Sequence, residues 1–195
     1  ENKARHAGEP FDQIVNHFGP SNVAELTGRA KRIVRGPDGA AEYRKRLAGV
    51  AAVCAPLDLD RGATALDGPG TWLYRRYLLP GLRQHLDAVE KLRPVPTDRA
   101  RRDRVRGIRE WDGLVVAPRW GFASAEDYYR RARVAPILDR IALPAWIIES
   151  ENDPMVPAWT LTNALTRVSA TTEVTWTPRG GHVGMPRDLD LGRPG

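Results

Sequence analysis

Residues 173–185 read EVTWTPRGGHVGM, an alternating run with β-type residues that stops at Pro178 and delivers His182 straight after two glycines. About thirty residues upstream, an apolar run, Ala145-Trp146-Ile147-Ile148, follows Pro144 and leads into Glu151-Asn152-Asp153-Pro154. A carboxylate and an imidazole, each on a loop just after a strand, are suited to general acid–base work. An imidazole changes charge near neutral pH, and a buried carboxylate fixes its tautomer. Glycines at 180, 181 and 184 let the histidine loop turn tightly. The plainer alternative is a surface histidine beside a Gly-rich turn and an Asp-Pro that caps a helix.

Working outward, residues 158–168 have helical spacing, so the segment from 145 to 177 reads strand, helix, strand. Residues 48–56 form a continuous run of small apolar side chains without alternation, the pattern of a strand in a parallel sheet. Three parallel strands with crossovers make an α/β class, about half of a doubly wound sheet. The long piece between the first two strands, about residues 62–141, reads as helical and holds most of the aromatic residues. Its segments begin at Trp72, continue from Leu82 to Leu92, and resume over 125–132, with Ser124 as cap, and over 134–141.

A nucleophile is harder to find. The four serines are Ser21, Ser124, Ser150 and Ser169, and none stands in Gly-x-Ser-x-Gly between a strand and a helix. The single cysteine, Cys54, sits within an apolar run, forms no internal disulfide and reads as a small buried hydrophobe.

At 195 residues, 42% hydrophobic and 28% charged, the chain is long enough for a real core and does not read as disordered. It opens on no apolar signal core and has no run of 18 apolar residues, so no membrane span and a cytoplasmic location are expected. Net charge is +6, yet arginine outnumbers lysine 26 to 4, a skew that GC-rich coding produces without selection for nucleic acid. The densest basic run, residues 99–109, reads as a solvated helix face. Near the start, Phe11, Ile14, Val15 and Phe18 have the spacing of a short amphipathic helix, and Gly36-Pro37-Asp38-Gly39 marks a joint.

Several ordered blocks carry a resemblance. They are residues 47–59, Tyr74-Arg75-Arg76-Tyr77-Leu78-Leu79, Ile108-Arg109-Glu110-Trp111-Asp112, Trp120-Gly121-Phe122 with residues 125–129, Asp153-Pro154-Met155-Val156-Pro157, and Gly180-Gly181-His182-Val183-Gly184. Together, over residues 46–187, they resemble the C-terminal half of the YheT-like α/β-hydrolases, a family of predicted carboxylesterases. The resemblance implies a partial α/β-hydrolase fold with a helical cap insertion and a small carboxylic ester as substrate. It also implies neither metal nor organic cofactor, and a triad in which Asp153 orients His182. The serine of that triad would fall within residues 19–45, which do not resemble a nucleophile elbow, so hydrolysis by this chain alone is not expected. The cap aromatics Trp72, Trp111, Trp120 and Phe122 would shape acyl preference. An edge left open at the Val50 strand is expected to favour self-association or dependence on a partner chain.

Residues 11–35 resemble a short stretch of the strawberry-notch-type helicases, without a phosphate loop. The domain reading is therefore a segment of separate origin, residues 1–40, followed by the hydrolase part, residues 46–195. Two other functions stay open: a non-catalytic ligand-binding or assembly module, and a nucleic-acid-associated, helicase-like fragment.

Overall fold

The computed structural model describes residues 49–185. The helix expected over 11–18, Ser21, the joint at 36–39, the helicase-like stretch and the boundary near 40 all lie outside the described residues. The described chain falls into two compact units.

The first unit holds a parallel sheet of three strands, β1 (Val50–Val53), β2 (Ala145–Ser150) and β3 (Thr172–Thr177), in that spatial order. Val50 aligns with Ala145, and Ala145 with Thr172. All six residues of β2 are buried, as expected for a central strand with Trp146, Ile147 and Ile148 in succession. Trp146 satisfies its ring N–H by donating to Thr175 Oγ1 at 2.9 Å, so its large apolar area is buried without an orphan donor. β1 departs from a strand covered on both sides: Val50 and Ala51 are exposed, and among the described residues β1 lies at an edge of the sheet.

The second unit is helical. It comprises α1 (Leu59–Asp67), α2 (Trp72–Glu90), α3 (Arg99–Arg104), α4 (Ile108–Trp111), α5 (Ala117–Trp120), α6 (Ala125–Ala132) and α7 (Ala158–Leu165). Two apolar clusters organise it. Leu79, Leu86, Val105, Trp111 and Val115 form one, and Ala63, Ala125 and Tyr129 the other. Helix starts follow local chemistry: Asp58 accepts from Arg61 N, Asp98 from Arg101 N and Ser124 from Asp127 N. Asp67, at the end of α1, reaches across to accept from Ile108 N at 2.7 Å and Arg109 N at 3.0 Å, capping α4 from another helix.

The segment read as beginning at Trp72 and continuing from Leu82 is one helix of 19 residues with Pro80 inside it. A wide π-type turn, Asp112–Val116, joins α4 to α5. The basic run is not a wholly solvated face, because Arg102 is 0% exposed. Its guanidinium donates to Asp87 at 2.9 Å and to Glu90 at 2.6 Å on α2. The helical period turns this one arginine of the run inward, and two carboxylates compensate its buried charge.

The hydrogen bond and charge of Arg102 hold the Glu90 carboxyl below its ordinary value of 4.5. Glu90 therefore contributes stability that is present above that value and lost as pH falls through the lowered folded one. Helical circular-dichroism melts of the parent should lose Tm across this acid window, and Glu90→Gln should flatten that part of the profile. In the sheet, Ile148→Ala is expected to cost about 2–5 kcal/mol in urea denaturation, because it empties a fully buried position.

Candidate active site

The chain enters the His182 turn directly from β3. Gly181 N–H donates to Gly184 O at 3.0 Å, closing a tight loop around His182 and Val183. Gly180 makes the entry possible. Its φ is 114°, and a Cβ there would meet Gly184 O and Met185 Sδ at 3.0 Å. Val183 also takes a left-handed φ, 50°, which is costly for a β-branched residue.

Cys54, just past the end of β1, holds this turn. It is 2% exposed, with a left-handed φ of 50°. Its thiol donates to Gly181 O at 3.7 Å and its sulfur accepts from Val183 N at 3.4 Å, so one side chain grips the backbone on both sides of His182. The sulfur lies within 4.8 Å of a ring nitrogen of the partly buried His182. Sequence reading assigned Cys54 to packing alone. It is buried as expected, but its strained backbone and two hydrogen bonds give it a positioning role as well.

The exits of β2 and β3 are laced together. Glu151 N donates to Thr177 O at 3.0 Å, and Asn152 Nδ2 to Pro178 O at 2.7 Å. Glu149, fully buried in β2, accepts from Ala55 N through Oε1 at 3.1 Å and so fixes the exit of β1 as well. Glu149 was passed over in the sequence; its signal was an acid embedded in an apolar strand just before the acidic loop.

Asp153 belongs to the helical unit. It is 3% exposed, and Oδ1 accepts from Met155 N at 2.8 Å and Val156 N at 3.0 Å, a local turn that fixes the carboxylate. It is not the cap of α7, whose N-cap is Pro157, so the plainer reading of Asp-Pro as a helix cap does not hold. Neighbouring amides hold Asp153 where a helix cap would instead have been spent on α7.

The three described serines serve their own turns. Ser124 caps α6, Ser150 accepts from Asn152 N at 3.3 Å, and Ser169 bonds the hydroxyls of Thr171 and Thr172. Ser21 lies outside the described residues. Of the cap aromatics, Trp111 is buried in the helical core, Trp72 and Trp120 are exposed, and Phe122 lies under the Arg131 guanidinium, 4.8 Å from its ring centre. In the same unit the Tyr129 hydroxyl donates to Asp112 at 2.6 Å, and burial pushes the Asp112 carboxyl up. Among the described residues, no helix is long and apolar enough to cross a membrane.

No protein-family model matches the chain. It is 35% identical over 137 residues to "Putative esterase YheT" of Escherichia coli, a match covering 68% of this chain and 39% of that protein. It is 30% identical over 145 residues to "Putative esterase slr0264" of Synechocystis, covering 71% and 38%. A monoacylglycerol lipase of Saccharomyces cerevisiae is 28% identical over 113 residues, covering 57% and 25%. The chain thus spans about two fifths of the length of the first two relatives.

Because Gly180 alone suits its backbone, Gly180→Ala should destabilise the protein by about 1–3 kcal/mol and disorder the His182 turn. Gly181→Ala, which has open space at its Cβ position, should change little. Urea titration, with the His182 ring resonances as a local probe, distinguishes the two.

Proposed function

We propose that this chain, a partial YheT-like α/β-hydrolase, carries the acid and base of a carboxylic ester hydrolase and needs a nucleophile from outside its described residues. The observation that carries the reading is the His182 turn. A partly exposed imidazole is presented at the end of a parallel sheet, on a loop whose backbone is gripped from both sides by Cys54. A base needs such fixed placement to meet a hydroxyl proton at hydrogen-bond distance.

In this reading Asp153 accepts a hydrogen bond from one ring nitrogen of His182, setting the tautomer and stabilising the imidazolium. The other nitrogen takes the nucleophile's proton as its oxygen attacks the ester carbonyl. The same proton then passes to the departing alcohol, leaving an acyl intermediate. Water, giving a proton to His182, attacks the acyl carbonyl; the imidazolium returns that proton to the nucleophile's oxygen as the acyl bond breaks, which releases the acid and restores the neutral imidazole. The relatives' names support an ester as the substrate class.

Cys54 is not the nucleophile in this scheme. Its thiol is buried and already engaged with the turn, and a buried thiol is a poor attacking group. Without a nucleophile a triad of this kind loses about a million-fold in turnover.

The test is hydrolysis of p-nitrophenyl acetate and butyrate by the folded chain, with His182→Ala and Ser21→Ala alongside. The expected result is no turnover above the His182→Ala background. Turnover that disappears with His182 would instead reveal a nucleophile already within the chain, and loss in Ser21→Ala would identify it. Ligand-induced thermal stabilisation without turnover, unchanged by His182→Ala, would favour a binding module over the acid–base reading.

A further inference from the structure

Cys54 is the single cysteine of the chain, and donors of three kinds meet at its sulfur. The thiol donates to Gly181 O at 3.7 Å, the sulfur accepts from Val183 N at 3.4 Å, and a ring nitrogen of His182 lies within 4.8 Å of it. All of these groups belong to the sheet unit. A soft sulfur, a borderline imidazole and a hard carbonyl oxygen are thus supplied by residue 54, just after β1, and residues 181 and 182, just after β3.

The separations suit a small divalent cation. Zinc binds sulfur at about 2.3 Å and nitrogen or oxygen at about 2.0–2.2 Å in tetrahedral geometry, which sets sulfur about 3.6 Å from each neighbouring donor. Cys54 Sγ and Gly181 O already stand 3.7 Å apart. A cation in the place of the thiol proton would lie between them without moving the backbone, and the His182 ring has little more than about 1 Å to close. Packing accounts for the burial of this sulfur but gives no reason for an amide to be aimed at it. The Val183 N–H favours the charged form of the sulfur, as outer hydrogen bonds do for metal ligands.

The geometry points to a zinc-binding site made by Cys54 Sγ, the His182 ring and Gly181 O, with water completing the four ligands. On binding, the thiol proton leaves to solvent, the sulfur–metal bond forms, and Gly181 O exchanges its S–H donor for the cation. Nothing is oxidised or reduced. The site goes beyond the acid–base reading and stands without it, because coordination needs neither a nucleophile nor an ester. Where His182 does serve as a base, zinc takes the lone pair that would accept the proton, so the metal inhibits that chemistry and is not its cofactor.

The experiment titrates the untagged, folded full chain with zinc sulfate by calorimetry and with cobalt(II) by absorption. One metal should bind per chain, and cobalt should give a thiolate charge-transfer band in the near ultraviolet, which Cys54 alone can supply. EDTA should abolish it. His182→Ala and Cys54→Ser should each weaken zinc binding at least tenfold, whereas His85→Ala, on α2 in the helical unit, should not. If Cys54→Ser does not fold, as its circular-dichroism melt would reveal, the cobalt band of the parent still decides. The proposal is overturned by absence of that band at saturating cobalt, by a folded Cys54→Ser or His182→Ala that binds zinc as the parent does, or by loss of binding in His85→Ala. Ester turnover is a separate readout. Turnover that depends on His182 in a chain that binds no zinc rejects the site and keeps the base. Ester-induced stabilisation unchanged by His182→Ala, with zinc binding lost in the same variant, keeps the site and rejects the acid–base reading.

Discussion

Parallel pairing around β2 is the constraint on which the sheet and its chemistry depend. Three strands running the same way must all leave the sheet at one end, and short loops there are brought together by topology alone. The backbone then spends its hydrogen bonds fixing those exits. Glu149 holds Ala55, Thr177 receives Glu151, Asn152 reaches Pro178, and Cys54 grips residues 181 and 183. The buried row of β2 makes this rigid, because a one-residue slip would move Trp146 and Ile148 to the wrong faces. Backbone strain at Cys54 and Val183 persists because the surrounding bonds over-determine it.

The helical unit is held differently. Its apolar clusters are small, and long-range polar ties set the relation of its helices: Asp67 to the start of α4, Tyr129 to Asp112, and Arg102 to two carboxylates of α2. Arg109 extends the pattern, meeting Asp60 at 2.6 Å with its guanidinium 5.0 Å from the Tyr129 ring centre. Each tie offsets the desolvation of a partly or fully buried polar group, so losing either partner leaves the other uncompensated.

The sheet was legible in the sequence because strand runs at 48–56, 145–148 and 173–177 carry period and composition together. The Ser124 cap and helices over 125–132 and 158–165 were legible for the same reason, being local. What escaped depends on partners distant in sequence. Nothing within residues 99–109 says that Arg102, and not its neighbours, meets Asp87 and Glu90. α2 continues through Pro80, although a proline costs a helix one hydrogen bond, with Leu79 and Leu86 in the core. In the site, the types and order of Asp153 and His182 were readable. The hold of Cys54 on the turn was not, because it joins residues 127 and 129 positions apart.

That hold also bears on where a nucleophile can stand. Chemistry at the C-terminal end of a parallel sheet draws its groups from different strand ends, one group to each. Here β3 leads to the imidazole and β2 leads, through residues 151 and 152, to the carboxylate at 153. The end of β1 is occupied by a buried thiol whose bonds are committed to the imidazole loop. Ser150, at the exit of β2, is buried and tied to Asn152. In the proposed reading every described strand end therefore already has a task, and the attacking group comes from outside the described residues.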